Sequence, residues 1–170
     1  MNTEADARRD LAACYRIFDY LGWTELIYNH ITVKVPNDTG GLEQHFLINP
    51  FGLMYREVTA SNLVKVDLQG QIIGDARHPV NPAGFVTHSA IHEALPQAKC
   101  VMHVHTTAGM AVACKESGLT MTNFYSAMLY NQVGYHTFEG ITVNPGEKAR
   151  MVASLGPHRY LILRNHGLLT

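Results

Sequence analysis

Charged side chains are scarce in this chain of 170 residues: Asp, Glu, Lys and Arg make up 16% of it, against about a quarter of an ordinary soluble domain. The shortage fits surface buried between subunits, and fits equally a plainly uncharged surface. Neither sign dominates, with 13 Lys+Arg against 14 Asp+Glu and a formal net charge of -1. That balance excludes the electrostatic footprint of a nucleic-acid binder or of a protein drawn to acidic membranes. Cysteine is nearly absent. Cys14, Cys100 and Cys114 are odd in number and lack zinc-ribbon spacing, so no disulfide framework is expected and a reducing, cytoplasmic setting is. No apolar run reaches the roughly 20 residues of a membrane-spanning helix. The start, Met1-Asn2-Thr3-Glu4-Ala5-Asp6, lacks the basic-then-apolar order of a signal peptide. Repeats, low-complexity stretches and interdomain linkers are missing too, so residues 1–170 read as one domain with a real core.

Histidine is what the chain does have. Lys99-Cys100-Val101-Met102-His103-Val104-His105 reads as an apolar strand. Residues i and i+2 of a strand share a face, so His103 and His105 aim at one space while Met102 and Val104 pack on the other side. Two neutral imidazoles on a stiff strand form half of a site for a divalent ion. His166 follows a second apolar run, Tyr160-Leu161-Ile162-Leu163, and precedes Gly167, which permits close backbone approach. Three histidines with one open position are the donor set of a catalytic zinc. The competing reading is three packed imidazoles bonded to carbonyls. His88 and His92, four apart on an expected helix, form a rival metal pair.

Periodicity supplies the remaining elements. An apolar stripe through Ala7, Leu11, Cys14, Tyr15, Phe18 and Leu21 predicts a helix from Thr3 to Leu21. Ile31–Val35 and His45–Ile48 are expected as a hairpin about the turn 36–41. Leu63–Leu68 and Gln71–Ile73 read as a second hairpin. Helices are expected over Pro82–Leu95, from Thr106 or Thr107 to Lys115, and over Asn123–Val133. Gly140–Val143 reads as a short strand. Asn144-Pro145-Gly146-Glu147 reads as a helix start with Asn144 as its cap, the helix ending at Gly156-Pro157. The order predicts a largely antiparallel central sheet covered by helices.

Taken together, His88-Ser89-Ala90-Ile91-His92, Ala98–Thr106 and Leu161–Leu168 resemble the class II aldolase/adducin family. Gly22-Trp23, Ile27–Thr32, Phe46–Leu53, Glu57–Ser61 and Asn81–Phe85 are similar to its adducin-like branch. The resemblance runs over nearly the whole chain. It implies an α/β fold, an αβα three-layer sandwich with a mainly antiparallel sheet, and a cytoplasmic homotetramer acting on a small-molecule substrate. It also implies a divalent metal, usually zinc, held by the histidines matching His103, His105 and His166. In the family's sugar-phosphate aldolases that metal polarises the substrate and stabilises an enediolate. The expected activity is therefore metal-dependent carbon–carbon lysis of a hydroxy-carbonyl compound. Epimerisation and decarboxylation use similar chemistry. The alternative is an adducin-like assembly module that keeps the histidines without catalysis.

Gly84 stands where those aldolases carry an acid/base glutamate, and Phe51 and Ala83 replace hydroxyl donors of their phosphate loops. A base has to come from elsewhere. The resemblance points to Tyr125, matching a proton-donating tyrosine of the neighbouring subunit, and to His88, as a proton carrier or a support for a ligand imidazole. His30 and Gly52 fall at substrate-binding positions. Asn165 is placed to orient a ligand, and Arg164 to pair with a carboxylate across a subunit boundary. Family members generally run further than Thr170, so the domain is expected to be truncated at its C-terminal side or to be a short form.

Overall fold

The computed structural model describes residues 3–36, 42–75 and 77–170. Seven strands make one sheet: β1 (His30–Pro36), β2 (Leu42–Ile48), β3 (Val64–Asp67), β4 (Cys100–Val104), β5 (Val133–His136), β6 (Tyr160–Leu163) and β7 (Gly167–Leu169). Their spatial order is β3-β2-β1-β4-β7-β6-β5. Every neighbouring pair is antiparallel except β5 and β6, which are parallel.

Strand alternation sends residues to two helical layers. Ile31, Val33 and Val35 of β1 pack with Leu47 against Ala7, Leu11 and Tyr15 of α1 (Glu4–Tyr20). The intervening His30, Thr32 and Lys34 are also buried, on the side of α2 (Pro82–Ala94). There Ile91 of α2 joins Val101, Leu161, Leu163 and Leu169 of the sheet, with Met151 and Leu155 of α5 (Glu147–Leu155). Helices on both faces make an αβα sandwich. Facing away from α2, Met102 packs against the α1 cluster, while Val104 lines an apolar groove of about 500 Å³ together with Trp23, Val112, Ile162 and Leu168.

Local chemistry fixes the ends that matter for the site. Thr3 caps α1 by accepting the Asp6 N–H. Asn81 caps α2 by accepting the Ala83 N–H, with Pro82 at the first helical position. Thr106 caps α3 (Thr107–Ala113) by accepting the Gly109 N–H. Asp67 Oδ1 accepts from the Gln69 and Gln71 N–H groups at the turn after β3, so the second expected hairpin shrinks to β3 and a single bridge, Val66 to Ile72. The turn expected at 36–41 lies outside the described residues from 37 to 41.

Four expectations are corrected. The helix expected over Asn123–Val133 is one turn, α4 (Phe124–Ala127). Asn131 takes a positive φ of 55°, and Val133–His136 satisfies its backbone as a parallel partner of β6 instead. The strand expected at Gly140–Val143 has no neighbouring strand among the described residues. Val143 N–H turns back to the Ile141 carbonyl at 2.8 Å, and Thr142 donates to Glu147. The α5 helix begins at Glu147, not beside Asn144, whose side chain caps a turn by accepting the Gly146 N–H. The α3 helix stops at Ala113, short of Lys115.

Candidate metal centre

Both edges of the His-Val-His strand are held in place. His103 pairs with His30 across to β1 and with Leu169 across to β7. Asn29 Oδ1 accepts the His105 backbone N–H at 2.8 Å just past the strand end. His166 sits in the turn joining β6 to β7, where Asn165 takes a φ of 56° and gives its backbone N–H to Ala113. Gly167 lets this turn close on β4: a Cβ there would lie 2.7 Å from His105 Cδ2 and from the Val104 carbonyl. Antiparallel neighbours and a tight turn therefore bring together histidines more than 60 positions apart. The ring centroids of His103, His105 and His166 are 4.6–5.0 Å apart, and one ligating atom from each falls within 4.8 Å of the others.

The hydrogen bonds dictate which nitrogens face inward. His103 Nδ1 lies 3.0 Å from the Leu168 carbonyl, and His105 Nδ1 lies 2.5 Å from Glu25 Oε2. Both partners only accept, so both Nδ1 atoms carry the hydrogen. In the neutral rings each Nε2 is then a bare lone pair, and these two Nε2 atoms stand 2.8 Å apart. Two lone pairs at that distance repel unless a cation lies between them. Burial pushes His103 well below the usual imidazole range and His166 down to about 4, which keeps both rings neutral, the form that ligates a metal. A divalent ion suits the donor set. Zinc–nitrogen bonds of about 2.0–2.1 Å in tetrahedral array put ligating nitrogens about 3.3 Å apart, a small opening from the spacing seen. Leu168 and Glu25 supply the outer hydrogen bonds that fix such ligands.

A cavity of about 290 Å³ opens onto the three imidazoles. Tyr28, His30, Phe51, Asn81, Thr87, Phe138 and Thr142 line the rest of it. Its wall at Phe138–Thr142 is tied down by Glu147, which is buried and accepts from Thr142 and His136, while His136 also meets Ser154.

The other expected residues fall at varied distances from this centre. His30 lines the cavity, stacked on His103 with ring centroids 5.9 Å apart. Burial, with His105 and His166 adding to it, pushes it down to about 3. His88 lies beneath His30, completely buried, its Nδ1 bonded to Thr32 rather than to a ligand imidazole. His92 bonds to the same Thr32 hydroxyl and to the Ala98 carbonyl, so His88 and His92 do not form the rival metal pair. Gly52 sits in the turn after β2 with a φ of 94°, beside Phe51 of the cavity wall. Tyr125 is 79% exposed on α4 and does not line the cavity of its own chain. Arg164 stacks on Tyr135 and donates to the Lys115 and Glu116 carbonyls of its own chain, while the Asn165 backbone shapes the turn.

Glu25 and Asn81 escaped the sequence reading as site residues, and Glu147 was legible only as part of the start of α5, not as a buried support of the cavity wall. Glu25 comes from a loop without periodicity, 80 positions before the histidine it holds. Asn81 carried a signal, since an Asn before Pro at a helix start is a cap, though not one that points to a cavity.

A sandwich with three imidazoles converging at its strand ends defines an α/β protein with a candidate metal site. A family model for the class II aldolase and adducin N-terminal domain matches residues 9–170, and the chain belongs to that family. It is 48% identical over 167 residues to a Pseudomonas aeruginosa protein named for aldolase class 2, covering 98% of this chain and 62% of that one. It is 50% identical over 166 residues to rat alpha-adducin, covering 96% of this chain and 22% of the adducin. The structure of an L-fuculose 1-phosphate aldolase from Glaciozyma antarctica superposes with a TM-score of 0.84 at 34% identity, over 98% of this chain and 64% of that one. The chain thus spans less than two thirds of the length of these relatives. None of its helices among the described residues is long and apolar enough to cross a membrane.

Proposed function

We propose that this domain is the metal-binding half of a cytoplasmic aldolase-type lyase acting on a small hydroxy-carbonyl substrate, with zinc held by His103, His105 and His166. One observation carries the reading: the Nε2 atoms of His103 and His105 face each other at 2.8 Å while both Nδ1 atoms are committed to acceptors. When bound, the ion would supply Lewis acidity to a substrate carbonyl oxygen, favouring loss of a neighbouring proton or carbon–carbon bond. The chain's own residues do the rest. Leu168 and Glu25 hold two imidazoles in the ligating tautomer. Phe51, Phe138 and Ile141 make part of the cavity wall apolar. His30 is the nearest imidazole outside the trio, and its depressed pKa leaves it neutral and able to accept a hydrogen bond. His88 acts through His30. Tyr125, so exposed in one chain, suits a role across the interface of a homotetramer, and Gly52 frees backbone beside the cavity for substrate.

The likeness to alpha-adducin supports a second reading, a non-catalytic binding or assembly module that retains the histidines. Gly84 favours it, since glycine offers no acid/base group. Two measurements separate the readings. Purified protein is expected to hold about one zinc, manganese or cobalt per chain, lost on His103→Ala. It is then expected to exchange solvent deuterium into a small hydroxy-ketone. Stoichiometric metal without exchange across a broad panel would favour the assembly module, and no metal would sink the metal-enzyme reading.

A further inference from the structure

Two buried imidazole nitrogens lack partners among the described residues, His30 Nδ1 and His88 Nε2. The rings are neighbours, with centroids 5.8 Å apart and planes at 89°. The hydrogen bonds around them determine which atom carries a hydrogen. At the inner end, His92 Nδ1 lies 3.1 Å from the Ala98 carbonyl and must donate. Burial holds His92 down to about 4, so it is neutral and its Nε2 is bare. That Nε2 lies 2.8 Å from Thr32 Oγ1, which must therefore give it the hydroxyl hydrogen. With that hydrogen committed, Thr32 can only accept from His88 Nδ1 at 2.7 Å, which leaves His88 Nε2 bare. At the outer end, Asn81 Oδ1 is occupied by the Ala83 N–H as the cap of α2. Its amide nitrogen faces His30 Nε2 at 2.9 Å and must donate, so His30 carries its hydrogen on Nδ1. The two ends, solved independently, leave one orphan donor and one orphan acceptor on neighbouring rings.

We propose that Asn81 is a substrate-binding residue, and that a one-way hydrogen-bond chain, Asn81 to His30 to His88 to Thr32 to His92 to the Ala98 carbonyl, fixes the orientation of its amide. The link from His30 to His88, direct or through one water, is the step that the proposal adds to the bonds seen. The direction is the same either way, donor at His30 Nδ1 and acceptor at His88 Nε2. Asn81 lines the cavity beside the three histidines. With Oδ1 and one N–H committed, the remaining N–H is its free group, suited to an oxygen acceptor, a carbonyl or carboxylate. His30, His88, Thr32 and His92 are positioning residues. The ligand half of the proposal rests on the cavity being a small-molecule metal site, and the chain itself does not.

The test uses the full chain, with and without zinc. Nitrogen-15 NMR distinguishes protonated from bare imidazole nitrogens. Wild type is expected to show His30, His88 and His92 all as Nδ1–H tautomers. Asn81→Asp keeps the helix cap but replaces the donor with an acceptor. It should switch His30 to Nε2–H and move the resonance of the bare His88 Nε2, which loses its donor while Thr32 keeps His88 in the Nδ1–H form and which makes no bond to the side chain at position 81. Thr32→Val should release the tautomer of His88 while the Ala98 carbonyl keeps His92 in the Nδ1–H form, and Thr32→Ser should restore His88. A wild-type His30 in the Nε2–H form, or an Asn81→Asp effect confined to His30, overturns the chain. For the ligand, calorimetry with oxalate on zinc-loaded protein should show at least about a tenfold weaker affinity in Asn81→Asp. Equal affinity overturns the role of Asn81 while leaving the tautomer result standing. No oxalate binding to zinc-loaded wild type overturns the small-molecule reading itself, and the ligand role with it.

Discussion

The imidazole of His30 occupies the space into which a side chain at residue 84 would grow: a Cβ placed on Gly84 would lie 2.8 Å from His30 Cγ and Cδ2. The glycine and the histidine are therefore coupled. Gly84 is inside α2, where alanine would ordinarily be worth about 1 kcal/mol more than glycine. In wild type that gain should be offset by overpacking of about 1–3 kcal/mol. Gly84→Ala is expected to leave stability unchanged or lowered, and to raise it once His30→Ala has cleared the space. A double-mutant cycle by urea unfolding measures the coupling, and additive single effects would show that the ring moves aside freely.

Glu25 is tied to the metal-binding tautomer of His105. Replacing it by glutamine keeps an acceptor oxygen but removes the charge. Metal affinity, read by competition with a chromogenic chelator, should fall about 10- to 100-fold. Thermal stability of the metal-free protein should hardly move, because Glu25 is a surface residue. An unchanged affinity would mean that His105 holds its orientation without it.

Acid should unfold the metal-free protein. Five histidines are depressed by burial: His30 to about 3, His92 and His166 to about 4, and His88 and His103 well below the usual range. Their unfolded counterparts titrate near 6.5. Below that pH the unfolded chain binds protons that the folded chain refuses, so the stability is complete above about 6.5 and is lost as pH falls toward 4. Each such histidine contributes a slope of up to about 1.4 kcal/mol per pH unit. Melting temperatures at pH 7.5, 6.0 and 5.0 check this. A flat profile would contradict neutral, buried imidazoles.

Tyr15 holds the start of β1. Its hydroxyl accepts the Ile31 N–H at 2.8 Å and donates to the Ile31 carbonyl at 2.5 Å. Tyr15→Phe preserves the ring that packs edge-on against Tyr55 but strips both bonds from a buried backbone. A loss of about 1–3 kcal/mol is expected in chemical denaturation. Because β1 also carries His30 and Thr32, the same variant should broaden the histidine signals of the cavity.

The elements the sequence determined by itself are those whose cause lies within a few residues. The stripe of α1, the Asn81-Pro82 start of α2, the alternation of β1 and the shared face of His103 and His105 follow from periods of 3.6 and 2 and from capping chemistry. The trio His103, His105 and His166 was legible because two members share one strand and the third marks the end of another. Tertiary structure decided the rest. Val133–His136 became a strand only because β6 lay ready to pair with it, and Ile141-Thr142-Val143, equally apt by residue type, found no such neighbour among the described residues. The pairing of Glu25 with His105, of Gly84 with His30, and of His88 with Thr32 joins positions 80, 54 and 56 apart. Hydrogen bonds and excluded volume act over a few ångströms of space, and only the folded sheet sets which distant residues come that near.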